Sequence, residues 1–542
     1  MNFQICYKNR IIILIFSCLA LIFSIIISIM SDNVQNPVFS VDSGFYDEPF
    51  ELTLSAGYGN KIYYTLDGSN PIDNGMLYTD SINIYDISEE ENIISSRKDI
   101  SIEIIECQDE SEYGFLDKKV DKAVNIRAVA VSRDGKEYSE IVTKNYFVGF
   151  SDKGYSELPI ICLSVDVDDL FDYEKGIYTT GKVYDDNIKN GTHDGYSANY
   201  TQRGEEWERK VNIQYFEDNK CLWDQNAGIR IKGFGSRVFP QKSFNIIQRS
   251  KYDGNKEFLY LPLNPYGKEK ISLSSGGNDI YHKLKDYMVG TLCEGLNYSV
   301  LKSRPCYLFL NGEFWGVYFI QEFCNEDYVR EHYGIKKENV ELIKAIPDYI
   351  DKVVGEKDLS VEKNYNELCD IIDISSYIDY YATMIIIARG FDWPGANEAF
   401  WRTLEKNDTK YGDGKYRWML YDVNSPCING HLIDFDSFSY LVEKDKLFRN
   451  LSKNKEFRYE LAREIEEQLN TVFKQERIEN LLHETYSVMK EPMKHSFYRW
   501  SWNDHGDETY WDEGIMEFIY FFENRRKTVI KHLTEWENSY IQ

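Results

Sequence analysis

The chain reads as an α+β protein: a small all-β sandwich, then a larger α+β domain with a helical C-terminal part, all preceded by a single apolar transmembrane helix. Three observations predict this: a charge-free run from Ile11 to Met30, short strand-like runs with Asp-Gly turns up to residue 148, and mixed strand and helix periodicity beyond it. At 542 residues the chain exceeds one ordinary core. A domain size of about 150 residues predicts two to four units.

The apolar run "IIILIFSCLALIFSIIISIM" matches the thickness of a bilayer core at helical rise. Lys8 and Arg10 precede it and Asp32 follows, so the positive-inside bias places the short N-terminus in the cytoplasm and the bulk of the chain outside. Residues 1–36 are therefore read as stub, anchor and linker, and a cleaved signal peptide is the alternative. The net charge of −27 argues against a nucleic-acid partner, because phosphate neutralisation needs clustered Lys and Arg. Ten cysteines include no C-x-x-C, so a zinc site is not expected, and buried free thiols are the simplest expectation.

Residues 37–150 form the expected sandwich. "KIYYTLDGSNP" and "NIRAVAVSRDGKEYSEIVTKNYFV" are strand runs broken at Asp67-Gly68 and Asp134-Gly135, with an acidic insertion between them. "FSVDSGFYDEPFELTLSA" followed by "IYYTLDGSNP" resembles the fibronectin-like domain found at the C-terminus of chitobiases. That resemblance implies a fold and no chemistry, with cell-wall or carbohydrate contact as the expected use.

Residues 155–542 carry the mixed body. "LPIICLSVDVDDLF" predicts a strand and a helix start, "GIRIKGFGSRVFPQKSFNII" a strand, loop and strand, and "RPCYLFLNGEFWGVYFIQE" a hairpin about Asn311-Gly312. "LKDYMVGTLCEGLN" and "SSYIDYYATMIIIARG" have helical spacing, the second opening on candidate capping serines. Beyond Asp436 the pattern is polar and helical.

The chemistry-bearing candidates lie in this body. In "FDWPGANEAFW", Asp392 is followed five positions later by Asn397, across a turn set by Pro394 and Gly395. This is the spacing of a kinase catalytic loop, where Asp orients the acceptor hydroxyl and Asn holds magnesium; an ordinary helix-to-strand turn is the competing reading. Asp422, ending the aromatic strand "YRWMLYD", stands where a second metal-binding carboxylate would be needed, or merely closes a strand. Gly233 and Gly235 form a turn that a phosphate could approach, although no third glycine falls in register. Lys242 then enters the next strand as a candidate phosphate ligand, Glu322 is its candidate carboxylate partner, and Arg237 contacts phosphate or caps the loop. No H-E-x-x-H or G-x-S-x-G is present, and no aromatic-flanked Glu pair stands out for glycoside hydrolysis.

Taken in order, "GIRIKGFGSRVFPQKSF", "KLKDYMVGTLCEGLNYSVLKSRPCYLFLNGEFWGVYFIQEFCNEDYVREHYGI" and "FDWPGANEAFWR…YRWMLYDVN" resemble the spore coat protein H (CotH) kinase family from about Leu158 to Asn424. The resemblance implies an atypical, shrunken kinase-like fold that uses ATP and Mg2+ or Mn2+ to phosphorylate serines of surface or coat proteins. It implies Asp392 as the catalytic Asp, with Asn397, Asp422 and Asn424 at the metal. Lys242, Arg237, Gly233, Gly235 and Glu322 fall at nucleotide and structural contacts. The chain departs from the family pattern at Gly390 and Ala396, where asparagines are usual, and at Asp422-Val-Asn424, where D-x-D is usual. Each lost charge weakens cation binding. The competing expectations are a weak or inactive pseudokinase serving surface or spore-coat assembly, and a carbohydrate-active surface protein. The expected location is the cell membrane, with a secreted or spore-coat protein as the alternative.

Overall fold

The computed structural model describes residues 34–108, 110–260, 269–279, 282–344, 350, 357–424, 427–500 and 508–540. The run Ile11 to Met30 lies outside the described residues, and among those described no helix is long and apolar enough to cross a membrane. The chain divides into two compact units, one comprising residues up to Asp86 together with Val124–Gly149, the other Ile87–Ala123 with everything from Phe150 onward.

The first unit is all β. Lys61–Thr65 pairs antiparallel with Val124–Val131, which pairs antiparallel with Val142–Val148, and Gly44–Tyr46 joins that strand in parallel. Phe50–Leu52 and Ile82–Ile84 form a separate antiparallel pair. The side chains of Leu52, Ile84, Ile126, Ala128 and Tyr146 are fully buried. Gly68 and Gly135 adopt φ of 80° and 76°, the left-handed conformation that their Asp-Gly turns require.

The acidic insertion clusters with the second unit. Its isoleucines, Ile94, Ile100, Ile102 and Ile104, are buried in that unit's hydrophobic core, and the Glu313 carboxylate accepts from the Ser95 amide at 2.7 Å. A charged stretch is thus held by the apolar residues dispersed within it.

Seven strands of the second unit pair in a closed ring: Arg209–Glu217, Ile160–Val165, Ser303–Leu310, Glu313–Glu322, Lys270–Ser274, Ser243–Ile247 and Lys220–Lys232, which returns to Arg209–Glu217. Closure removes the exposed edges. The tight hairpin between Ser303–Leu310 and Glu313–Glu322 turns on Asn311 and Gly312, both at positive φ of 48° and 86°. A second sheet orders Ser299–Val300, Arg417–Leu420, Ala399–Thr403 and Val340–Ile343. Against it packs the helix Ile374–Ile386, nearly all of which is buried. Its cap is Asp373, whose carboxylate accepts from the Ser376 amide, so the expected capping serines lie inside the first turn. A carboxylate just before the turn reaches a free amide that Ser376 cannot, and the Ser376 hydroxyl accepts instead from the Trp418 amide at 2.9 Å. Helices Lys455–Asn470, Gln475–Trp500 and Glu508–Asn538 complete the unit. The eight cysteines from Cys107 to Cys427 are free thiols.

Candidate active site

Two acids from distant parts of the sequence meet across one amide. Asp286 lies in the first turn of the helix Lys285–Leu292, whose start is fixed by Asp279 accepting from the Leu284 and Lys285 amides at 2.8 and 2.9 Å. Asp422 follows the strand Arg417–Leu420 in a left-handed conformation, φ 57°, which turns the chain. The Asn424 side-chain nitrogen donates to Asp286 Oδ2 at 2.9 Å and to Asp422 Oδ1 at 2.7 Å, while Asp286 Oδ1 accepts from the Val423 amide at 2.7 Å. Gly277 leaves room for this amide, since a Cβ there would stand 2.6 Å from Asn424 Nδ2. Burial, then the Asp422 charge, pushes the Asp286 carboxyl up to about 6.

Two lysines face the acids. Lys232 ends the strand Lys220–Lys232 and donates to Gln321 Oε1 at 3.0 Å; burial lowers its pKa, and the charges of Asp422 and Asp286 oppose that shift. Lys344 lies over the Tyr421 ring at 4.4 Å and donates to its hydroxyl.

The loop after helix Ile374–Ile386 is built from the inside. Arg389 is buried, and its Nη2 ion-pairs with Asp392 Oδ1 at 2.9 Å and donates to the Asp422 carbonyl at 3.1 Å. Asn397, at φ 55°, donates its side-chain amide to Asp392 Oδ2 at 2.8 Å. Glu398 holds the turn, with Oε1 accepting from Trp393 Nε1 at 3.1 Å and Oε2 from the Gly395 amide at 2.8 Å. Its carboxyl is pushed up to about 8, first by burial and then by Asp445. The Tyr440 hydroxyl donates to the Trp393 carbonyl at 2.8 Å. At Gly390, a Cβ would stand 3.0 Å from the Phe435 ring, so this chain fills with Phe435 the space that a larger residue would take.

Of the residues singled out in the sequence, the structure thus joins Asp392 to Asn397 and Asp422 to Asn424, with Arg389 linking the two pairs. The others lie differently. Lys242 is fully buried, donating to the Arg237 and Phe239 carbonyls at 2.7 and 2.9 Å and lying 3.7 Å over the Tyr200 ring. Burial drives its pKa well down, against the charge of Glu103. Arg237 donates to the carbonyls of Gly233, Tyr200, Gln202 and Ile231. Gly233 takes φ 107°, where a Cβ would strike Ser236 Oγ, and Gly235 opens the short turn Gly235–Val238. Glu322 does not pair with Lys242: it accepts from the Lys302 amide and lies 2.8 Å from His332 Nε2. Arg237 and Lys242 shape the loop, and their polar groups are committed to backbone carbonyls in and around it, whereas Glu322 is committed to Lys302 and His332.

Lys232, Asp286, Arg389 and Glu398 were not singled out in the sequence. Lys232 and Asp286 lay inside the quoted stretches "GIRIKGF" and "KLKDYM", but no short-range pattern distinguishes them from surface charges. As a donor set, two carboxylates and the Asn424 carbonyl suit a hard cation such as Mg2+, which takes one or two carboxylates and draws its remaining oxygens from phosphates and water. Among the described residues there is no group of three or more His, Cys, Asp or Glu suited to a metal ion.

Compared with known families, residues 229–357 and 344–529 match the model described as CotH kinase protein, and residues 50–146 match Fn3 associated. No curated protein matches the chain.

Proposed function

Because the chain belongs to the CotH kinase protein family, we propose that it is an atypical protein serine kinase dependent on ATP and Mg2+ or Mn2+. The observation that carries this reading is the bridge from Asp392 through Arg389 to Asp422, beside Asp286, Asn424 and Lys232. It gathers a candidate base, candidate cation ligands and a phosphate-neutralising lysine.

In this reading Asp392 orients the serine hydroxyl and takes its proton as the oxygen attacks the γ-phosphorus, the β–γ bridging bond breaks and ADP leaves. Arg389 and Asn397 hold the two Asp392 oxygens, fixing the carboxylate against rotation. Asp422 and Asp286, with the Asn424 carbonyl, would hold the divalent ion, which when bound neutralises charge on the transferred phosphoryl group. Lys232 and Lys344 supply positive charge to the phosphates. Lys242 and Arg237 act by rigidifying the adjoining loop.

We place the protein at the cell membrane through the Ile11 to Met30 run, with surface or coat proteins as substrates and the β unit contacting cell wall or carbohydrate. The test is transfer of labelled phosphate from ATP by the full chain with Mg2+ or Mn2+. Asp392→Asn should abolish transfer and retain nucleotide binding; equal transfer by the variant would refute the assignment.

One observation favours a second reading, that of a weak or inactive relative serving in surface or coat assembly. The Asn424 amide occupies an oxygen of both acids, where a family carboxylate would leave them free. Nucleotide binding by the wild type without transfer to any protein would support it.

A further inference from the structure

Immediately before Asp392, the chain makes a choice that its packing does not explain. Phe391 is 88% exposed, whereas Trp393, two residues on, is 1% exposed. The Asp392 amide donates to the Gly390 carbonyl at 2.9 Å across Phe391, whose φ is 63°. That is a three-residue γ-turn with its centre at positive φ, the rarer and strained form, at a position where glycine would carry no penalty. An aromatic side chain thus accepts both backbone strain and exposure to water. Among the described residues no ring stacking or cation contact covers the Phe391 side chain, and strain of this kind concentrates where a ligand is met.

The position identifies the ligand. Lys232, Asp286 and Asp422 lie on the phosphate side of the proposed site, and Asp392 faces the acceptor hydroxyl. The exposed Phe391 ring is carried by the residue next to that carboxylate, in the same turn. Resting on the kinase reading above, we infer that Phe391 is a specificity-determining residue that packs against an apolar side chain of the protein substrate next to the phosphorylated serine. Trp393, two residues on, is the aromatic that this loop buries.

The experiment uses the full chain, labelled ATP with Mn2+ or Mg2+, and an array of serine-centred peptides in which each flanking position is Leu, Phe, Ser, Asp or Lys. The wild type should select Leu or Phe at one flanking position. Phe391→Ser should raise KM for the selected peptide by about tenfold, the usual effect of one apolar contact, without raising KM for ATP. Phe391→Gly, which the positive φ accommodates, should show the same loss of selection with a melting temperature no lower than wild type. Transfer without apolar selection, or selection unchanged in both variants, overturns this inference and leaves the kinase reading standing. A rise in KM for ATP places the ring on the nucleotide and also overturns it. No transfer to any peptide or protein removes the kinase reading, and this inference with it.

Discussion

Arg389 Nη2 lies 2.9 Å from Asp392 Oδ1 and donates to the Asp422 carbonyl at 3.1 Å, so one buried guanidinium connects the proposed base to the proposed cation-binding segment. Replacing it with Met should lower kcat by about 100-fold, the scale expected when a catalytic group shifts by about 1 Å. Arg389→Lys keeps the charge but not the planar fork, and should recover only part of the rate. Steady-state kinetics alongside melting curves separate this from unfolding, since KM for ATP should change little in both variants.

Asn424 bridges the two acids with one amide group. Asn424→Asp would replace that donor with a third carboxylate, raising repulsion in the absence of metal and affinity in its presence. The variant should melt lower than wild type in chelator and gain more stability on titration with Mg2+ or Mn2+. A thermal shift no larger than that of wild type would count against a cation at Asp286 and Asp422.

Two lysines separated by ten positions should behave oppositely. Lys232→Met should abolish the thermal shift produced by nucleotide and leave the apo protein close to wild type. Lys242→Met removes the donor to the Arg237 carbonyl in a buried contact and to the Phe239 carbonyl in a partly buried one, and should destabilise the fold by about 2 kcal/mol, while nucleotide affinity persists. Calorimetric ATP binding and urea unfolding on both variants check the assignment.

Lys283 provides a prediction about pH. Burial lowers its pKa to about 7, against the charge of Asp279, and its ammonium donates to Gln241 Oε1 at 3.0 Å and to the Ser275 carbonyl. The unfolded chain keeps this proton to about pH 10.4 and the folded chain releases it near 7. Between those values the unfolded state binds more protons, so this group makes stability rise with pH, by at most about 1.4 kcal/mol per unit. Lys283→Met should therefore show a flatter rise in urea midpoint from pH 7 to 9 than the wild type. Parallel curves would show that Lys283 is charged in the folded protein.

The turn about Asn311-Gly312 and the Asp-Gly turns were legible because backbone conformation there depends on adjacent residues alone. The Asp392 to Asn397 step was legible for the same reason: a short turn brings both side chains to one place. The acidic stretch after Asp86 was less transparent. Its charges marked it as an acidic insertion, whereas its burial depends on isoleucines whose partners are strands more than fifty residues away.

By itself the sequence determined the mixed α+β class, the family and the local meeting of Asp392 with Asn397. Which lysine faces the acids was decided only by strand pairing. Lys232 lies opposite Ser243 in the register, and because side chains alternate across a sheet, Lys242, one residue earlier, turns to the opposite face and into the aromatic core. Asp286 likewise entered the site only when its helix packed near Asp422, 136 positions later in the chain. Local conformation is written in neighbouring residues; a site assembled from separated elements depends on register and packing, which short-range spacing does not encode.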